Sequence, residues 1–334
     1  RIIDGMGRPI DGKGPLVAPS RDGFYADPPN PLSRTRIKEP FASGIKSIDC
    51  FVPMGVGQRI GIFAGSGVGK SILLGMIAKG SDADVNVISL VGERGRELRE
   101  FVESDLGEEG LRKSIVVVST SDQPAPMRIR ASILATAIAE GFRNEGQKVL
   151  LLMDSLTRFA MAQREIGFAS AEHPGSRGHV PSVLSLLPKL LERTGTSELG
   201  AITSIYTVLV EGDDMNEPVA DAVRGFLDGH IVLSRKLANA NHFPAVDVLS
   251  SVSRLDRSVC NEEELSLISH ARDLLSTYHQ NEDMINVGAY VKNSNPKIDL
   301  AIDKFTGIQD FLRQKFDVLS QRENAFSELR NVLR

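Results

Sequence analysis

Residues 60–71 read Ile-Gly-Ile-Phe-Ala-Gly-Ser-Gly-Val-Gly-Lys-Ser, and the fold follows from that stretch. Ile60–Ala64 is a short apolar run of strand type. Residues 64–71 then meet the pattern G-x-x-x-x-G-K-S/T with alanine in its first place, and Lys70–Lys79 carries a helical pattern. A strand, a glycine-rich turn and a helix in that order make a phosphate loop, the structure that cradles the phosphates of ATP. Gly65, Gly67 and Gly69 free the backbone to turn N–H groups inward. With Ser66 and Val68 they line the amino end of the helix, where anions bind. Lys70 is then expected at the β- and γ-phosphates and Ser71 on Mg²⁺; Ile72 follows in the first helical turn. The competing reading is a glycine-rich turn with a chance Lys-Ser, and the matching flanks weigh against it.

Outward from the loop, Val85–Val91 (VNVISLV), Ile115–Ser119 (IVVVS), Val149–Asp154 (VLLLMD) and Ala201–Leu209 (AITSIYTVL) read as strands. Glu93–Asp105 and the alanine-rich Pro126–Asn144 read as helices. Apolar strands alternating with helices predict an α/β fold, a mostly parallel sheet covered on both faces with right-handed crossovers. From about Asn261 helical periodicity takes over (EEELSLISHARDLLSTYHQ, then PKIDLAIDKFTGIQDFLRQ), so 261–334 is expected to be a small helical C-terminal domain. Residues 1–40 hold Pro9, Pro15, Pro19, Pro28, Pro29, Pro31 and Pro40 and read as turns and an extended connector. That leaves 41–260 as the ATP-binding domain. The chain opens at Arg1 inside a strand–turn pattern (RIIDGMGRPIDGKG) and reads as a piece of a longer protein.

A length of 334 residues allows about two domains. The net charge of −4, without any block of like charges, argues against a protein whose main task is gripping nucleic acid. The two cysteines, Cys50 and Cys260, are far apart, and neither C-x-x-C nor H-E-x-x-H occurs. A zinc site is not expected, and both thiols read as small apolar residues. The six histidines show no ligand spacing; His242 and His279 read as packing or surface residues. No run of 18 apolar residues suggests a spanning helix.

Two carboxylates follow strands. Asp154 closes VLLLMD, the position from which a carboxylate holds the Mg²⁺ shell beside a phosphate loop. Alone, such an aspartate is commonly an N-cap for the next helix. Glu93 follows VNVISLV in the sequence Val-Gly-Glu-Arg-Gly-Arg. In a parallel sheet it reaches the same edge as the phosphate loop, where it could polarise the attacking water while Arg94 touches the γ-phosphate. Equally, a glutamate in a first helical turn can simply face the helix dipole.

The segments AGSGVGKS, LVGERGRELREF, LLLMDSLTRFAMAQREI, YTVLVEGDDMNEPVADAVRG, LDGHIVLSRKLA and HFPAVDVLSSVSR, in this order, resemble the type III protein-export ATPases, with the flagellum-specific ATPase as nearest likeness and the α and β subunits of F-type ATP synthase as wider kin. The resemblance runs from Arg1 to about Leu312. It implies a RecA-like core, Mg²⁺-dependent ATP hydrolysis and a homo-oligomer, commonly a hexamer. It implies Glu93 as catalytic glutamate, Arg94 as its phosphate-facing neighbour, Asp154 as the metal-shell aspartate and Arg158 as an arginine near the phosphates. Phe243 corresponds to the aromatic that stacks on adenine, and Tyr290 to a further residue near the base. Arg254 corresponds to the arginine finger donated to the neighbouring subunit. The family also carries an N-terminal β-barrel, and this chain begins at its exit. One stretch departs from the pattern: 171–181 reads AEHPGSRGHVP where the family commonly has G-E-P-P and then a Gly-Tyr pair.

The function implied is energising protein export by a flagellar apparatus. The resemblance further implies regulator and stalk proteins, export chaperones and substrates as partners. It implies a cytoplasmic protein, peripheral at the inner face of the bacterial membrane and its export gate. The ATPase of a virulence injectisome and the catalytic subunit of a rotary ATPase share the chemistry. A nucleic-acid motor shares the fold, and the acidic balance with no aromatic-plus-basic platform speaks against it. A purely structural nucleotide-binding subunit fits poorly with Lys70 and Glu93 both present.

Overall fold

The structure is a computed structural model that describes residues 1–16, 23–175, 178–210, 212, 214–215 and 217–334. Its strands in chain order are β1 (Ile2–Asp4), β2 (Pro40–Phe41), β3 (Met54–Gly55), β4 (Arg59–Ala64), β5 (Val85–Val91), β6 (Ser114–Ser119), β7 (Lys148–Asp154), β8 (Gly195–Thr196), β9 (Ala201–Leu209), β10 (Gly229–Leu233) and β11 (Val246–Ser253). The main sheet runs β1-β6-β5-β7-β9-β4-β10-β11, with β8 paired to β9 and β2 paired to β3 separately. Every neighbour pair along that path is parallel except β10–β11. The mostly parallel sheet expected from the sequence is present, and the carboxyl ends of β4, β5 and β7 share one edge.

Both faces are covered, which is why the strands read as near-continuous apolar runs. In β5, Val87 and Val91 face a cluster with Ala131, Ala135 and Ala139 of helix Ala125–Asn144. Ile88 and Leu90 face the opposite cluster, shared with Leu73, Leu74 and Ile77 of helix Lys70–Gly80. The alanines recur every fourth residue, so one small-residue stripe lies on the sheet and lets the helix approach closely. A leucine at position 135 would overpack that contact, at a cost of about 1–3 kcal/mol.

The helices after 260 are Glu262–Asn286, Pro296–Leu312 and Arg322–Leu333. Their buried residues, among them Leu274, Phe311 and Leu329, belong to the same cluster as Ile60 and Leu73, so the helical region packs directly on the nucleotide-binding core. At the other end, β1 pairs in register with Val116–Val118. The opening residues thus extend the sheet before the chain enters its proline-rich stretch. The segment expected as one helix over Glu93–Asp105 starts at Gly95 and widens into a π-turn over Phe101–Leu106. The sequence analysis did not assign β10 and β11, which extend the sheet beyond β4, or the two-residue strands β2, β3 and β8. Cys50 is buried and Cys260 half-buried, both as free thiols, and His242 is buried at 2% exposure, a packing residue.

Candidate active site

Helix Lys70–Gly80 starts from Gly69, whose φ of 85° is left-handed, and Gly67 has φ 78°. Only glycine takes those angles without strain. The loop therefore opens a cavity of about 1560 Å³ whose lining includes Gly65, Ser66, Gly67, Gly69, Lys70, Ser71 and Ile72. Val68 turns inward and is buried at 2% exposure. Aligned peptide dipoles give this helix end partial positive charge, suited to phosphate.

Lys70 lies between the two carboxylates. Its Nζ donates to Asp154 Oδ1 at 2.5 Å and stands 3.7 Å from Glu93 Oε1. Asp154 Oδ1 also accepts from Thr207 Oγ1 at 2.6 Å, so β9, lying between β4 and β7, orients the aspartate. Its role as a helix cap is filled by another residue: Ser155 Oγ accepts the Arg158 N–H at 3.3 Å. Glu93 likewise precedes its helix, whose first-turn acid is Glu97. The dipole-facing alternative falls to Glu97, leaving Glu93 on Lys70.

The Glu93 carboxyl is pushed up to about 7. Burial is the chief cause, the Asp154 charge adds to it, and Lys70 opposes it. Such a group is half-deprotonated near neutrality, the range suited to a general base. Gly92, with φ 73°, makes the approach to the neighbouring helix possible: a Cβ there would meet Arg158 Cβ at 2.9 Å. Arg158 lines the cavity, and its Nε is buried without a hydrogen-bond partner, a donor shaped for an incoming anion.

Phe243 also lines the cavity, 40% exposed. Its ring edge is 3.4 Å from the Cβ position of Gly69, so an aromatic face stands beside the loop. Arg94 sits at the rim, its side chain 82% exposed and paired with Glu97 at 3.3 Å; it points to solvent rather than to Lys70. Tyr290 does not line this cavity. It lies in the turn between Glu262–Asn286 and Pro296–Leu312, its hydroxyl donating to Asn295 O at 3.0 Å, because the first helix ends at Asn286 and the chain turns back along the surface.

Arg254 is at the other edge of the sheet. Strand β11 is antiparallel to β10, so its end pairs with the beginning of β10: Ser253 opposite Gly229. The Arg254 N–H donates to Asp228 O at 2.9 Å, and Asp228 N–H to Arg59 O at 2.8 Å. Arg254 is thus level with the start of β4, about five residue steps of 3.3 Å, or roughly 17 Å, from the phosphate loop.

The cavity also gathers residues that the sequence analysis did not select, notably Arg164, His179, Glu217 and Arg235. Two of them clasp: His179 Nε2 is 3.2 Å from Glu217 Oε1. His179 belongs to the departing stretch 171–181, of which 176 and 177 lie outside the described residues. The one signal for it was that departure.

Among the described residues no group of three or more His, Cys, Asp or Glu could hold a metal ion. Ser71 offers a hydroxyl on the cavity wall and Asp154 a buried carboxylate bonded to Lys70, which itself lines the cavity. This is a hard-oxygen pair of the kind with which Mg²⁺ takes its other ligands from phosphate and water. The donor set fits that cation.

Comparison with known proteins agrees along the whole chain. The family model for the ATP synthase alpha/beta family, nucleotide-binding domain, matches residues 44–253. The model for the T3SS EscN ATPase C-terminal domain matches 260–331. The flagellum-specific ATP synthase of Bacillus subtilis (strain 168) is 55% identical over 332 residues, covering 99% of this chain and 76% of the relative. The type 3 secretion system ATPase of Xanthomonas euvesicatoria is 48% identical, covering 99% and 75%. The solved structure of a prototypical ATPase from the type III secretion system of pathogenic bacteria superposes with a TM-score of 0.94 at 48% identity, covering 100% of this chain and 96% of that one. The assembled ATPase EscN from enteropathogenic E. coli does so with a TM-score of 0.94 at 47% identity, covering 100% and 81%. The chain belongs to the ATP synthase alpha/beta family, in the branch of the flagellum-specific ATP synthases and type III secretion ATPases.

Proposed function

We propose that this ATPase hydrolyses Mg-ATP in the cavity at residues 64–71 and that the hydrolysis energises protein export by a flagellar type III apparatus. The observation that carries the chemistry is Glu93 beside Lys70 with its carboxyl raised to about 7. Glu93 takes proton character from the attacking water. Lys70 moves from Asp154 to the β- and γ-phosphates, and Arg158 neutralises phosphate charge from the side. Phe243 stacks on the base. Ser71 and Asp154 would hold Mg²⁺, which would supply neutralisation of the charge developing on the phosphates. Arg254 serves the site of the adjacent subunit, because its own cavity is out of reach.

This reading makes the working form a homo-oligomeric ring, with six subunits as in the family resemblance. One solved relative, EscN, is described as assembled and, in a second structure, as in complex with its central stalk EscO. A stalk protein is proposed here by that likeness, together with a regulator, chaperones and exported substrates, no nucleic acid, and peripheral attachment at the inner membrane face. Among the described residues no helix is long and apolar enough to cross a membrane. The higher identity to a flagellar relative favours flagellar export over an injectisome. The test is a gene deletion in the source bacterium. Loss of motility restored by the wild type and not by Lys70→Ala is expected; unchanged motility with lost protein injection would move the protein to an injectisome.

A further inference from the structure

Gln314 lies just past helix Pro296–Leu312, far in sequence from the cavity, and is buried at 7% exposure. Its backbone N–H donates to Phe243 O at 3.0 Å, holding the aromatic wall of the nucleotide cavity from behind. Its side-chain amide uses all three of its short contacts. Oε1 accepts the Lys46 N–H at 2.8 Å, the first N–H of helix Lys46–Phe51, whose N-cap Ile45 has no capping side chain. Nε2 donates to Gly44 O at 2.8 Å and to Val318 O at 2.7 Å. Acceptor meets donor and both donors meet carbonyls, so the partners fix the amide in one orientation.

The loop that Gln314 grips touches the phosphate-loop helix. Gly44 has φ 80°, and a Cβ on it would stand 2.9 Å from Gly80 Cα, the last residue of helix Lys70–Gly80. Leu319, in the same C-terminal segment, comes within 2.9 Å of the Cβ position of Gly80. The loop is itself braced: Asp49 accepts from Ser43 N, Ser43 Oγ and Gly44 N. Ser320 N–H adds a bond to Gly44 O at 3.1 Å. Gln314 therefore ties the aromatic wall, through its backbone N–H, to the loop packed on the far end of the phosphate-loop helix and to the C-terminal segment, through its buried side-chain amide.

We propose that Gln314 is a positioning residue for nucleotide binding, the tie through which occupancy of the cavity is felt by the C-terminal helices. The proposal rests on the reading of Phe243 as the wall of a nucleotide site. Coupling between two sites is reciprocal: if the tie holds the wall in place for the nucleotide, the nucleotide must in turn quiet the tie. Cutting the side-chain bonds frees segment 313–320 and loosens Phe243 without touching Lys70, Glu93 or Asp154.

The test compares Gln314→Ala with Leu329→Ala. Leu329 is fully buried in helix Arg322–Leu333 and makes none of these bonds, so it reports plain loss of packing. Gln314→Ala is expected to raise KM for ATP by roughly fivefold or more, the lower end of ordinary site-to-site coupling, with kcat nearly unchanged. Leu329→Ala is expected to lower Tm and leave KM alone. Amide hydrogen exchange of the wild type should slow over 44–51 and 313–320 when ADP is added, and the variant should lose that response. Should Gln314→Ala fail to fold, the wild-type exchange decides alone: protection on adding ADP supports the tie, and none overturns it. Gln314→Ala behaving like Leu329→Ala, in a protein whose wild type binds ADP, overturns the tie and leaves the nucleotide site standing. A wild type that binds no ADP removes both.

Discussion

At the carboxyl edge of the sheet, Lys70, Glu93 and Asp154 have side chains only 13%, 15% and 6% exposed, and both carboxylates lie within 3.7 Å of the Lys70 ammonium. At the amino edge of the same sheet Arg254 is exposed, its guanidinium touching the carbonyl of Arg224 at 3.3 Å. The first set is an arrangement that one chain builds and partly neutralises for itself, holding its charges ready where water is scarce. The second is a cation roughly 17 Å from that cavity, beyond the Debye length of about 8 Å at physiological salt. At that separation its charge acts only weakly on its own site. On the proposed function, the contrast separates the part of the catalytic apparatus that a subunit carries from the part that only an assembly would complete.

The comparison breaks first at Lys70. Replacement by alanine removes the cation that both carboxylates face and that a phosphate needs, so phosphate release is expected to vanish and nucleotide binding to weaken; a variant turning over at the wild-type rate would refute the phosphate-loop assignment. Arg254→Ala comes next. A finger supplied in trans is worth about 10³–10⁵ in rate, with nucleotide affinity in the isolated subunit unchanged by equilibrium titration. An ordinary surface cation would change stability by under about 0.5 kcal/mol and rate hardly at all.

Glu93→Gln sharpens the contrast on the buried side. Removing a general base costs about 10²–10⁴ in rate, and a fluorescent nucleotide should still bind. Because the carboxyl must be ionised to act, wild-type kcat/KM is expected to rise with pH through about 7. A flat profile there would assign the raised carboxyl no part in the chemistry. The sign for stability is opposite. A carboxyl raised in the folded protein binds more protons folded than unfolded, so it costs stability increasingly from its ordinary range up to about 7. Thermal unfolding should therefore show Glu93→Gln gaining over the wild type as pH rises across that window, and level above it.

The smallest effect belongs to Phe243. Stacking of a base on an aromatic is worth about 1–3 kcal/mol, so Phe243→Ala should raise the Kd for ATP accordingly, while Phe243→Tyr stays near the wild type. An unchanged Kd would make the ring plain packing against Gly69.

Much of this was legible in the sequence because the signals are local. The phosphate loop needs only adjacent residues, and parallel strands buried on both faces are apolar without interruption, as in VLLLMD. Strands β10 and β11 escaped because neither is a continuous apolar run: buried residues are interrupted by half-exposed ones in β10, and by half-exposed and exposed ones in β11. Asp154 was readable as a strand end, but its release from capping depended on Ser155 taking that role. Gln314 could not be found from spacing at all, since its partners Lys46 and Gly44 are about 270 residues away in the chain. Tyr290 shows the converse, since matching a motif does not place a side chain in a cavity when the local turn directs it to the surface; Arg94 reaches the cavity rim, where the nearer Glu97 holds it toward solvent.

The shared-site account is tested most directly by mixing two inactive proteins, Arg254→Ala and Glu93→Gln. In a ring assembled from both, some interfaces pair an intact Glu93 with an intact Arg254, and those sites are complete. Phosphate release should return to a fraction of the wild-type rate on mixing, and wild-type activity should rise more than linearly with protein concentration. A mixture as inactive as its parts, or a wild type whose rate is strictly proportional to concentration while Arg254→Ala is fully active, would contradict the claim that the two edges of the sheet meet across a subunit boundary.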